Sequence, residues 1–98
     1  MATASLSTHV LDTGAGQPAA GVAVELVHEG RTVGSGHTDA DGRIAELAAG
    51  LEPGTYTIVF HPPSPFFRRV GLEVELGDGH HHVPLLVSSY SCASYRGS

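Results

Sequence analysis

Histidine is the one side chain whose unperturbed pKa lies near neutrality, which makes it the natural general base. This 98-residue sequence holds seven histidines. Three are consecutive, His80-His81-His82, at the head of the short run Val83-Pro84-Leu85-Leu86-Val87-Ser88. At strand period two, His80, His82, Pro84, Leu86 and Ser88 share one face, while His81, Val83, Leu85 and Val87 share the other. The second face is apolar after its first residue and reads as core. The first is mixed, as expected of a strand that lines a groove or an interface. His82 is therefore expected to point away from the core into a site. His9 lies on the outward parity of an early strand, and two such histidines converging on one water would make a hydrolytic pair. Spacing alone does not decide whether they converge.

The histidine run also raises a metal reading. Adjacent strand residues point to opposite faces, so at most His80 and His82 share an ion. Two ligands fall short of a three-residue catalytic zinc site unless His9 or a carboxylate joins them. A metal-free pair with a cationic stabiliser is more economical. Arg43 suits that role, since it follows the turn Thr38-Asp39-Ala40-Asp41-Gly42, and a guanidinium fork can orient a planar anion. In this turn Asp41 is expected to bond its own downstream backbone and Gly42 to supply a positive φ. A calcium loop would need more acidic ligands and a terminal Glu. The chain end, Tyr95-Arg96-Gly97-Ser98, sets an aromatic, a fork, a flexible residue and a hydroxyl beside a free carboxylate. His28, His37 and His61 read as surface or loop residues. Cys92 reads as a small buried or interfacial residue rather than a nucleophile.

Positioning these groups falls to short strands. Leu6-Asp12 alternates, with Leu6, Thr8 and Val10 on one side and Ser7, His9 and Leu11 on the other. Residues 13–21 carry three glycines and Pro18 and read as a loop. Val22, Val24 and Leu26 mark a second strand, and Glu29-Gly30 turns it into a third, Arg31-His37, whose two glycines suggest an edge, a bulge or strong twist. Ile44-Leu47 reads as a short strand and Ala48-Gly54 as a turn. Thr55-His61 places Tyr56, Ile58 and Phe60 inward, and Pro62-Pro63-Ser64-Pro65 ends it. Val70, Leu72, Val74 and Leu76 alternate with Glu73 and Glu75. Seven or eight short strands, no long helix and frequent turns predict an all-β antiparallel sandwich.

Length and composition bound the function. Residues 1–98 make one domain whose own core is modest, so a partner subunit would add buried area. Five arginines, no lysine and ten acidic residues give a formal net charge of −5, which argues against a nucleic-acid surface. No apolar run is long enough to span a bilayer, and residues 1–5 lack the charge and apolar stretch of a signal peptide. One cysteine cannot form an intrachain disulfide. The cytoplasm is the default expectation.

Four pieces in this order resemble one family: Leu6-Ser7-Thr8-His9-Val10-Leu11-Asp12, Thr38 to Arg43, His80 to Ser88, and the terminal Tyr95-Arg96-Gly97-Ser98. Together they look like the 5-hydroxyisourate hydrolases, the transthyretin-related enzymes of urate breakdown. The tetrapeptide separates that enzyme from the hormone carrier transthyretin. The resemblance implies a transthyretin-like sandwich, dimers that pair into a homotetramer, and active sites in a channel between dimers. It implies catalytic His9, Arg43, His82 and Ser98, with Tyr95, Arg96 and Gly97 joining them in substrate binding. No cofactor or metal follows. The implied reaction opens the cyclic N1–C6 amide of 5-hydroxyisourate to 2-oxo-4-hydroxy-4-carboxy-5-ureidoimidazoline. The alternative is a transthyretin-like small-molecule binding protein without turnover.

Some positions depart from the family's pattern. His81 stands where a tyrosine is common, Ser89 where a proline is common, and Cys92 where an aromatic is common. A Pro-stiffened connection, residues 60–67, replaces a longer loop and short helix, so that helix is expected to be shortened or absent.

Overall fold

The computed structural model describes residues 2–97. Ten strands are assigned: β1 (Ala4–Asp12), β2 (Gln17–Pro18), β3 (Ala23–His28), β4 (Arg31–His37), β5 (Arg43–Leu51), β6 (Gly54–His61), β7 (Val70–Leu76), β8 (Gly79–His82), β9 (Leu85–Val87) and β10 (Cys92–Ser94). The count exceeds the expected seven or eight for two reasons. β2 is a two-residue rung on β1 within the 13–21 loop, and β8 and β9 are two parts of one line broken at Val83-Pro84. Proline has no N–H to give the ladder, so the break falls there. The Thr8 hydroxyl closes the gap by donating to Val83 O at 2.6 Å. No helix is assigned among the described residues.

Two sheets face each other. One is built on β1, which pairs with β2, β5, β8 and β9, with β10 outside β9; the other runs β4-β3-β6-β7. The inward parities read from the sequence form the shared core: Leu6 and Val10 of β1, Val24 and Leu26 of β3, Ile58 and Phe60 of β6, and Val83, Leu85 and Val87 late in the chain are all buried. Burial of such aliphatic and aromatic side chains contributes about 1.5–3 kcal/mol each, against the entropy of ordering them. Glycine-rich β4 is indeed an edge strand. Its Val33 bulges where Leu26 pairs with Gly34 and Val27 with Thr32.

The structure corrects two local expectations. β5 does not stop at Leu47; it continues through Ala48-Ala49-Gly50 to Leu51. Nine residues of β5 lie along six of β1, with register shifts on either side of the Leu6↔Ala48 pair. Small residues with little alternation carry no strand pattern of their own, so this extension comes from the ladder offered by β1. In the turn before β5, Asp39 rather than Asp41 holds the backbone. Its Oδ1 accepts from Asp41 N and from Arg43 N, both at 2.9 Å.

After β6, Ser64 organises the proline-rich connection, the one for which a shortened or absent helix is expected. Its Oγ accepts from the backbone N–H of Phe66 and Phe67 and donates to Ser89 O at 2.9 Å. A serine-centred turn takes the place of helical bonding there.

Candidate active site

The site is built on the outer face of β1. Ser5, Ser7 and His9 share that face by strand alternation. β8 runs parallel to β1 with Ser5 opposite His80 and Ser7 opposite His82, while β5 runs antiparallel on the other side with His9 opposite Arg43. Residues paired across a ladder lie on the same face, with Cβ atoms about 5 Å apart. Three strands thus bring His9, Arg43, His80 and His82 together. His81 pairs with core-facing Leu6 instead and turns to the other face, where its Nε2 donates to Gly77 O at 2.9 Å.

Arg43 is placed by the turn that precedes it. Gly42 has φ +76°, and an added Cβ would lie 2.5 Å from Val10 O. Only glycine meets both conditions. Gly42 O in turn accepts from Val10 N at 2.7 Å, which fastens the start of β5 to β1 beside His9.

Hydrogen bonds settle how His9 presents itself. Its Nε2 lies 2.9 Å from Asp41 O. A carbonyl oxygen only accepts, so Nε2 carries the proton and Nδ1 is the bare nitrogen of the neutral ring. His82 is held from the opposite side, with Nδ1 2.7 Å from Ser7 Oγ. Its pKa is lowered from the ordinary histidine value. Burial is the main cause, followed by the positive charges of His9, Arg43 and His80. Neutral imidazole is thus favoured at His82 near neutral pH.

The chain end folds back onto this histidine. Gly97 N donates to His82 O at 2.7 Å, and the two residues form a β-bridge. An added Cβ on Gly97 would fall 2.7 Å from His82 Cδ2, so the tail backbone lies directly against the imidazole. Ser98 lies outside the described residues. Tyr95 and Arg96 are exposed and line an apolar groove of about 450 Å³ with Leu72, Val74, His81 and Val83. The structure therefore brings His9, Arg43, His82 and Gly97 together and sets Tyr95 and Arg96 along the neighbouring groove.

Ser7 was missing from the sequence-derived site. It is buried at 8 % exposure, and its Oγ lies between His82 Nδ1 and, at 2.9 Å, His80 Nε2. Its one sequence signal was the parity it shares with His9. The histidines that share a face, His80 and His82, are thus both engaged through a hydroxyl. Among the described residues, no three His, Cys, Asp or Glu side chains cluster as metal ligands.

Comparison with known proteins gives the chain a family. The model of the HIUase/Transthyretin family matches residues 6–97. The 5-hydroxyisourate hydrolase 2 of Rhizobium meliloti (strain 1021) is 40% identical, with 95% of each chain covered. The 5-hydroxyisourate hydrolase of Deinococcus radiodurans is 42% identical at the same coverage. The solved structure of Klebsiella pneumoniae 5-hydroxyisourate hydrolase superposes with a TM-score of 0.89 at 36% identity, covering 97% of this chain and 99% of that one. With the family model spanning all but the ends, and with relatives this similar along their whole length, the chain belongs to the HIUase/Transthyretin family.

Proposed function

We infer that the protein is a hydrolase that opens the cyclic N1–C6 amide of 5-hydroxyisourate. The observation that carries this reading is the face shared by His9, Arg43 and His82, closed at one end by the Gly97 bridge. Relatives called 5-hydroxyisourate hydrolase, matched along nearly their whole length, support it further. A carrier needs a cavity of matching shape but no paired imidazoles beside a guanidinium fork.

Each group has a task. Neutral His82 removes a proton from water through Nε2, the nitrogen that Ser7 does not engage. The bare Nδ1 of His9 accepts a second hydrogen bond from that water and aims it at the ring carbonyl. Arg43 binds the anionic substrate and offsets the charge that develops on oxygen. The proton then passes from His82 to the leaving ring nitrogen as the C–N bond breaks.

The test is loss of freshly generated 5-hydroxyisourate in ultraviolet absorbance, with chelator present, followed as a function of pH. His82 must be neutral to act, and its pKa is lowered by burial and by the charges beside it. The acid limb of kcat/KM is therefore expected below the ordinary histidine value of about 6.5, with a flat rate from there to neutrality. A limb above that value would remove His82 as the base.

A homotetramer of paired dimers is part of the same proposal. β7 and β10 are the outer strands of their sheets, and the apolar groove beside them leaves Leu72 and Val74 only half-buried. Pairing of these edges between copies would cover both the groove and the open backbone. Sedimentation equilibrium is expected to give four times the chain mass, and a monomer at micromolar concentration would overturn the assembly.

A further inference from the structure

The hydrolase reading uses one end of a longer line of side chains. Ser5 Oγ lies 2.7 Å from His80 Nδ1, Ser7 Oγ 2.9 Å from His80 Nε2, and Ser7 Oγ 2.7 Å from His82 Nδ1. These contacts make an unbroken hydrogen-bonded chain from an exposed ring, His80, to the half-buried ring beside Arg43. The parallel pairing of β1 with β8 builds it, because Ser5 and Ser7 fall in register with His80 and His82.

Ser7 has one hydroxyl proton and two imidazole neighbours, so it donates to one ring and accepts from the other. When it donates to His80, it accepts from Nδ1–H of His82, and Nε2 of His82 is bare, as a base requires. When it donates to His82, Nε2 carries the proton, as an acid requires. The direction of one hydroxyl therefore sets which form of His82 faces the site.

We propose that His80, acting through Ser7, is a positioning residue that sets the tautomer of His82 and takes up the proton His82 removes from water. The proposal rests on the hydrolase reading. As water attacks, Nε2 of His82 gains the water proton, Nδ1–H passes to Ser7 Oγ, and the Ser7 proton passes to His80 Nε2. His82 is then neutral with a proton on Nε2, and His80 is the cation. When the ring C–N bond breaks, Nε2 gives its proton to the leaving nitrogen and the chain runs back. The net transfer is one proton from water to that nitrogen.

Charge placement favours this path. His82 is faced by His9 from β1, Arg43 from β5 and His80 on its own strand, and all of these oppose a second positive charge there. His80 is exposed, is faced from β1 by the uncharged Ser5 and Ser7, and is removed from the Arg43 register pair. A cation is better solvated at that end of the chain.

The experiment uses the full chain with 5-hydroxyisourate and compares wild type, His80→Gln, Ser7→Ala, the double variant and His82→Ala. Glutamine at the exposed position 80 keeps a hydrogen-bonding group but carries no charge, so the fold is not at stake. Each single change is expected to lower kcat about 10- to 100-fold with little change in KM, the size typical of groups that orient a catalytic ligand or base. The double variant is expected to match the singles, because the two residues act as one unit. The dependence of kcat on deuterium content is expected to be curved in wild type, where several protons move, and linear in the variants. Wild-type kcat and curvature in His80→Gln, with His82→Ala inactive, would overturn the relay and leave the hydrolase standing. Failure of wild type to consume the substrate would overturn both.

Discussion

A His82→Ala variant is expected to lose about 100- to 10,000-fold in kcat/KM toward 5-hydroxyisourate, the range that a positioned general base contributes. The change isolates the ring. The tail is tied to residue 82 through the backbone, by Gly97 N donating to His82 O, and that bond does not need the imidazole. The parallel pairing of β8 with β1 is likewise a backbone ladder. His82 is half-buried on the outer face and stands apart from the core cluster, so its removal leaves the sandwich packed. Ultraviolet decay of the substrate with chelated wild type and variant side by side, together with a thermal melt, checks the claim. A full rate in the variant would sink the assignment of His82 as base. No acceleration by wild type would favour the carrier reading and move attention to ligand binding.

The second large effect is expected from Gly97→Ala. The new methyl group would lie 2.7 Å from His82 Cδ2, 3.1 Å from His82 O and 3.3 Å from His82 Cβ. The first distance forces a shift. Either the imidazole swings away from Ser7 Oγ, or the tail backs off and gives up the 2.7 Å bond between Gly97 N and His82 O. Both outcomes displace groups of the site by a few tenths of an ångström or more. Misplacement on the scale of an ångström costs about 100-fold in rate, and that loss in kcat/KM is the expected result. Stability is expected to fall by no more than about 1 kcal/mol, since the affected segment lies at an exposed chain end that carries little of the core. Steady-state kinetics with a denaturation curve separates the two effects. An unchanged rate would mean that the tail contributes nothing to the site.

Much of the sandwich was legible because strand alternation is a local signal. Leu6, Thr8 and Val10, then Val24 and Leu26, then Ile58 and Phe60 each share a parity, and each set is buried. The same rule put His9 and His82 on outward faces and His81 opposite. The four spaced motifs named the family, and their order along the chain needs no coordinates to be seen.

The tertiary structure decided who meets whom. β1 and β8 lie about 75 positions apart, and a slip of one residue in their pairing would send Ser7 and His9 to the face opposite His80 and His82. Ser7 could not be singled out, because a serine on a strand becomes part of a site only when its partner strand arrives in register. The extension of β5 to Leu51 was hidden for a related reason, since Ala48-Ala49-Gly50 has no alternation and takes its conformation from the β1 ladder. In the turn before Arg43, two aspartates of the same type compete, and backbone geometry gave the cap to Asp39 rather than Asp41. Residue types and their period thus determined the layers, the core and the outward histidines. Register, a property of pairs distant in sequence, decided that those histidines share one face with Arg43 and that a buried hydroxyl joins two of them.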